Sequence, residues 1–247
     1  MIIDRRAVAH KLAGLARPRA RDAVSSWLLL RALGAVYLIA FVSLWIQLDG
    51  LIGRDGILPA GRYLEVVRRF AGPERYRLLP TLCWFDTSDR FLHGLALAGS
   101  LAAVSLACDV VPALGAAVAW ASYLSLTLAA RDFLTFQWDA LLLEAGFLAI
   151  FLAPLDLGSI RPRAAPPPPL VLGLVRWLVF RLMFSSGVVK LSSGDAAWRG
   201  LTALRYHYET QPLPTWVGWY AHQLPAWFQD ASVVALFVIE LFIPFFI

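Results

Sequence analysis

Six apolar runs of 17 to 22 residues constrain this chain more than any other feature in it. They cover residues 27–48, 91–111, 114–130, 138–155, 170–191 and 231–247. At a rise of 1.5 Å per residue, a helix of about 20 residues matches a bilayer's hydrocarbon core. The 247 residues are 59% hydrophobic and only 16% charged, with a mean hydropathy of +0.65, outside the range of an ordinary soluble domain. The expected fold is all-α: a multi-pass transmembrane helical bundle of about six spans, with the second and third forming a tight hairpin at Pro112.

Charge sets the expected orientation. The tail 1–26 carries Arg5, Arg6, Lys11, Arg17, Arg19 and Arg21 against Asp4 and Asp22, which predicts a cytoplasmic N-terminus. With six spans, the segment carrying Arg161 and Arg163 is cytoplasmic too, and its 166–169 proline run makes a stiff connector. The transmembrane domain 27–247 then places loops 49–90, 131–137 and 192–230 on the extracytoplasmic face. Loop 49–90 holds seven arginines, but six acids nearly balance them and long loops weigh little in the rule. The first run is too long for a signal-peptide core and lacks a small-residue cleavage site, so it is expected to remain as an anchor. The last run stops at Phe-Phe-Ile after Pro244 with no closing flank, so the chain reads as the N-terminal part of a longer protein whose C-terminal portion is missing.

The net charge of +5 is divided among short membrane-flanking segments, which leaves no groove for nucleic acid. Cys83 and Cys108 are expected on opposite membrane faces, too far apart for a disulfide. No CxxC, zinc spacing or haem motif occurs, so neither metal nor cofactor is expected.

Charges inside the runs are the candidate sites, because each is costly in lipid. Glu144, Arg181 and Glu240 fall well inside their spans; they read either as an ion pair that locks the bundle or as a relay or counter-charge. Gln137, Asp139 and Glu144 open the fourth run. Gln137 and Glu144, seven apart, share a helical face, whereas Asp139 sits about 140° of rotation from Glu144 and reads as a partner of the helix dipole. Lys190 is one of two lysines among 22 basic residues. A half-buried lysine can act as a base or Schiff-base former, or can snorkel to the interface.

Tyr206, His207, Tyr208, Glu209, Thr210 and Gln211 place six hydrogen-bonding side chains in consecutive positions before Pro212 and Pro214, which fix an extended exit. On an extended chain His207 and Glu209 would point the same way, as an acid-base pair or, with their neighbours, as a hydrogen-bonded clasp or binding surface. Trp198, Trp216, Trp219, Tyr220, His222 and Trp227 surround the string, in the manner of an aromatic belt at a membrane interface.

Several of these pieces together resemble the lipase maturation factor family: GLIGRDGILPA, LPTLCWF, FQWDALLLEAGFLAIFLAP, RWLVFRLMFSSGVVKLSSGDAAW, LTALRYHYETQPLPTWVGWYAHQLP and IELFIPF. The resemblance implies a multi-pass protein of the endoplasmic reticulum membrane in animals that assists folding and assembly of secreted homodimeric lipases, its lumenal loops meeting the client. An Ala- and Arg-rich, Lys-poor sequence suggests a GC-rich, bacterial genome, for which the membrane would be the plasma membrane. A shorter piece, GVVKLSSGDAAW, looks like part of the vitamin K-dependent carboxylase, and by that match Lys190 would be a base, with His207 or Glu209 assisting. The leading expectation is a non-enzymatic assembly factor embedded in membrane lipid, with a lipase-type client. A membrane enzyme stands second. A transporter stands third, since the chain lacks the internal repeat and paired broken helices of such folds.

Overall fold

The computed structural model describes residues 20–155, 167–213 and 215–247, and among them every regular element is helical. The helices of seven residues or more are α1 (Ala20–Leu51), α2 (Ala60–Ala71), α3 (Asp89–Ala107), α4 (Pro112–Ala130), α5 (Gln137–Leu152), α6 (Pro169–Ser192), α7 (Ala203–Thr210), α8 (Trp216–His222) and α9 (Ala226–Leu241), and single helical turns such as Arg75–Leu78 and Ala196–Arg199 accompany them. The chain divides into two compact units, Met1–Gly173 and Leu174–Ile247. The basic tail up to residue 19, the Arg161 and Arg163 segment and Pro214 lie outside the described residues.

Among the described residues five helices are long and apolar enough to cross a membrane: Asp22–Leu51, Asp89–Ala107, Pro112–Leu134, Pro169–Ser192 and Ala226–Phe246. The expected fourth span is the exception. It folds as α5, 16 residues long, or about 24 Å. Both ends have a local cause. The Asp139 carboxylate accepts from the Phe136 amide at 3.2 Å and fixes the start. Pro154 excludes its predecessor from the helical region, so Ala153 turns extended at ψ 138 and stops the helix. Helix α9 starts at Ala226 rather than 231, directly after Pro225.

In the first unit, α1, α3, α4 and α5 pack around a buried aromatic cluster. Tyr37 and Phe41 of α1 meet Tyr123 of α4 edge-on, with ring centroids 5.6 and 5.5 Å apart. The two tyrosine hydroxyls are satisfied inside the core, Tyr37 donating to the Leu142 carbonyl at 3.0 Å and Tyr123 to Asp139 Oδ1 at 2.5 Å. Small residues make room for the rings. A Cβ on Gly99 would lie 2.2 Å from the Phe41 ring, and one on Gly146 would lie 1.8 Å from the Tyr37 hydroxyl. Such positions let helices approach closely where lipid supplies little hydrophobic drive.

The α3–α4 turn is tight, as Pro112 suggests. Asp109 and Val111 both take positive φ, at 60° and 48°, to reverse the chain within four residues. Asp109 is buried there and pairs with Arg31 at 3.3 Å, while Arg31 lies over the Trp27 ring at 3.6 Å.

The second unit has a thinner core. Leu178, Ala203, Gln229 and Val233 are among its few buried residues. Phe180 and Phe184 of α6 pack edge-on against Phe245, with centroids 5.2 and 5.6 Å apart.

The 206–211 string is not extended. Residues Ala203–Thr210 form α7, and the chain becomes extended only at Gln211, with ψ 134. Pro212 restricts the residue immediately before it and no further upstream, so it ends a helix instead of straightening the string.

Candidate functional site in the second unit

Helix α7 places its polar residues at helical spacing. The Arg205 guanidinium grips Asp230 of α9, with Nε 2.8 Å from Oδ1 and a second, shorter contact from Nη2 to Oδ2. The Asp230 carboxylate raises the Arg205 pKa above its ordinary value. Glu209 turns to α8, where its Oε1 meets His222 Nε2 at 2.8 Å. His207 and Gln211, one turn apart, are joined at 2.8 Å, and the Thr210 hydroxyl donates back to the Tyr206 carbonyl at 3.1 Å. His207 and Glu209, two apart on a helix, are turned about 200° from each other, so the helix does not hold them as an acid-base dyad. Tyr206, His207, Glu209 and Thr210 are exposed, and Tyr208 is half-buried with its ring edge-on to His207.

Helix α8 starts at a Thr215 cap, whose hydroxyl accepts from the Gly218 amide at 3.0 Å. It is tied to α9 by buried Gln229, which donates to the Ala221 carbonyl at 2.5 Å. What α8 leaves outside is aromatic. Trp216 is 77% exposed, Trp219 and Tyr220 are also open, and Trp227 at the start of α9 is 69% exposed.

Lys190 and Glu240 form the other polar centre of this unit. The ammonium lies 2.7 and 2.9 Å from the two Glu240 oxygens and 2.6 Å from Ser186 Oγ, which itself donates to Glu240 Oε1 at 3.1 Å. Trp198 covers the group, its ring centroid 5.5 Å from Nζ. The two side chains keep 20% and 17% of their surface. An ammonium has three donors and no acceptor, and here its donors have partners within reach. The geometry is that of a tie between α6 and α9. Arg181 stands nine residues earlier on α6, about 180° around the helix from Lys190.

Of the polar residues at the start of α5, Asp139 is buried and accepts from Tyr123 and the Phe136 amide, whereas Gln137 and Glu144 are exposed. Among the described residues no group of three or more His, Cys, Asp or Glu is placed to hold a metal ion. Outside the spans, burial pushes the Cys83 thiol pKa up, against a lowering hydrogen bond from Thr81. Cys83 and Cys108 are both free.

Sequence reasoning missed Arg205, Asp230, Gln229 and Ser186. Ser186 precedes Lys190 by one helical turn, a spacing visible in the sequence. The other three depend on how α7, α8 and α9 fold together, and nothing in their spacing announces it.

Five helices of membrane-crossing length among the described residues make this a multi-pass helical membrane protein. Comparison with known proteins gives its family. The model of the family described as lipase maturation factor transmembrane domain matches residues 24–247. Lipase maturation factor 2 of Gallus gallus is 50% identical over 225 residues, covering 88% of this chain and 31% of the relative. The Homo sapiens protein of that name is 47% identical over 236 residues, covering 88% of this chain and 33% of its own length. Lipase maturation factor 1 of Bos taurus is 38% identical over 243 residues, covering 94% and 43%. The chain belongs to the lipase maturation factor family and spans about a third of the length of the factor 2 relatives. No solved structure matches.

Proposed function

We propose that this chain is the membrane portion of a factor that assists folding and assembly of secreted lipases, and that the α7–α8 surface meets the client. The observation that carries this reading is the combination of a held helix and an open surface. Arg205–Asp230 and Glu209–His222 fix α7, while Tyr206, His207 and Thr210 stay exposed beside the α8 aromatics. A prearranged face of this kind binds without first having to order itself.

The charge pattern of the sequence supports a cytoplasmic N-terminus and, with α5 crossing as a short sixth span in a locally thinned bilayer, an extracytoplasmic position for residues 192–230. The membrane is that of the endoplasmic reticulum in an animal cell and the plasma membrane in a bacterium. Lys190 acts in this account as a structural cation, and the string 206–211 as a contact surface, with no chemical step.

The test is client capture. A lipase co-purified with the full-length protein is expected to be lost when Tyr206, His207 and Thr210 are changed together to alanine, and to be retained by Lys190→Arg. Retention by the triple variant, at matched expression and membrane insertion, overturns the assignment of the surface.

A further inference from the structure

The connection between α2 and α3 folds back alongside α4 instead of standing clear of it. The Thr81 hydroxyl donates to the Ser125 carbonyl at 3.0 Å, and the Leu82 amide donates to Ser125 Oγ at 3.0 Å. Ser125 precedes the end of α4 at Ala130 by five residues, about 8 Å along the axis. The connection therefore lies at the depth of a membrane-crossing helix.

Between them runs a slot of about 370 Å³, walled by Leu82, Trp84 and Phe85 of the connection and by Trp120, Ala121 and Leu124 of α4. The polar side chains along it are already engaged. Trp84 Nε1 donates to the Leu79 carbonyl at 2.7 Å, Trp120 Nε1 to the Leu143 carbonyl at 3.0 Å, and Ser125 Oγ to the Ala121 carbonyl at 2.7 Å. A polypeptide entering the slot would bring amide groups that find few partners there, at a cost of roughly 1–3 kcal/mol for each left unpaired. A hydrocarbon chain brings none.

At one rim stands a cation held by rings. The Arg75 guanidinium lies 4.3 Å from the Tyr76 ring centroid and 5.6 Å from that of Trp84, both slot residues. Nη1 donates to the Gly72 carbonyl at 3.0 Å and Nη2 to the Tyr76 hydroxyl at 2.6 Å, while Nε is buried with no hydrogen-bond partner. Two of the five guanidinium N–H groups are engaged, which leaves donors for a further acceptor. A fixed guanidinium beside an apolar slot matches an amphiphile with a phosphate at the head of a hydrocarbon chain.

We propose that this slot is a phospholipid site, the acyl chain lying between the 82–85 segment and α4 and the headgroup phosphate on Arg75. A lipid there would fill the gap between the connection and the helix, and so steady the position of Thr81 and Leu82 on Ser125.

Native mass spectrometry of the protein in detergent micelles tests this, with phosphatidylglycerol and a diacylglycerol of the same chains as probes. Arg75→Gln is expected to weaken phosphatidylglycerol binding about fivefold and leave diacylglycerol binding unchanged, since diacylglycerol carries no phosphate for the guanidinium to hold. Ala121→Trp, which fills the slot, is expected to weaken both about tenfold. Arg90→Gln, an exposed charge away from the slot, is expected to change neither. The proposal is overturned if Arg75→Gln and Arg90→Gln behave alike, or if inorganic phosphate displaces the lipid, which would mark a free-anion site. Displacement of the lipid by an apolar peptide at equal concentration also overturns it, in favour of a peptide groove. Should Ala121→Trp fail to fold, the contrast between Arg75→Gln and Arg90→Gln decides alone, because neither arginine belongs to the buried core of the unit, Arg75 being half-buried and Arg90 exposed.

Discussion

In Met1–Gly173 the membrane helices meet through buried rings and the small residues that receive them: Tyr37, Phe41 and Tyr123, with Gly99 and Gly146 beneath. In Leu174–Ile247 the elements are tied by charges, Lys190 to Glu240, Arg205 to Asp230 and Glu209 to His222, while Trp216, Trp219 and Trp227 remain open. Close packing fixes a shape and leaves little surface unsatisfied. Polar ties fix a shape at a few points and leave the faces between them available. The first arrangement suits a scaffold, and the second suits a surface that meets something else.

The largest effect separating the two is expected at Gly146. A valine there drives a side chain into the Tyr37 hydroxyl and is expected to cost about 3 kcal/mol or to prevent folding, read as thermal unfolding in detergent. Gly173→Val is its control. A Cβ there meets nothing within 4 Å, and the expected change is within about 0.5 kcal/mol. Equal effects at the two sites would break the contrast on the scaffold side.

Next comes the Lys190–Glu240 tie. Glu240→Ala strands a mostly buried ammonium and is expected to cost about 2–3 kcal/mol, whereas the double change Lys190→Met, Glu240→Leu recovers most of it. Failure of the double change to recover stability would mean that the pair does more than join α6 to α9.

Asp230→Asn releases Arg205 at an exposed site. Its effect on stability is expected to be small and to fade at high salt, while its effect on client capture is expected to be the larger one. The smallest effect concerns the thiols. Alkylation of the native protein is expected to label exposed Cys108 and spare buried Cys83, whose raised thiol pKa slows it further, until the protein is unfolded.

The helical class and the positions of five spans were legible because apolar runs of membrane length carry their own signal. The brevity of α5 was not, since its end depends on a single proline acting on Ala153. Lys190 and Glu240 each stood out as charges in apolar sequence, but 50 residues separate them and only the fold pairs them. The 206–211 string was legible as a concentration of polar groups and misread as extended, because Pro212 and Pro214 suggest more straightening than a proline imposes on residues behind it. Its partner His222, and Asp230 that holds the preceding Arg205, lie on other helices, which no local pattern reveals.

The measurement closest to the central claim is secreted lipase activity in cells lacking the family factor, restored by the full-length protein or its variants at matched expression. The account predicts rescue by wild type and by Lys190→Arg, and none by the Tyr206, His207 and Thr210 alanine variant. Rescue by the alanine variant together with loss in Lys190→Arg would contradict it and move the function to the lysine.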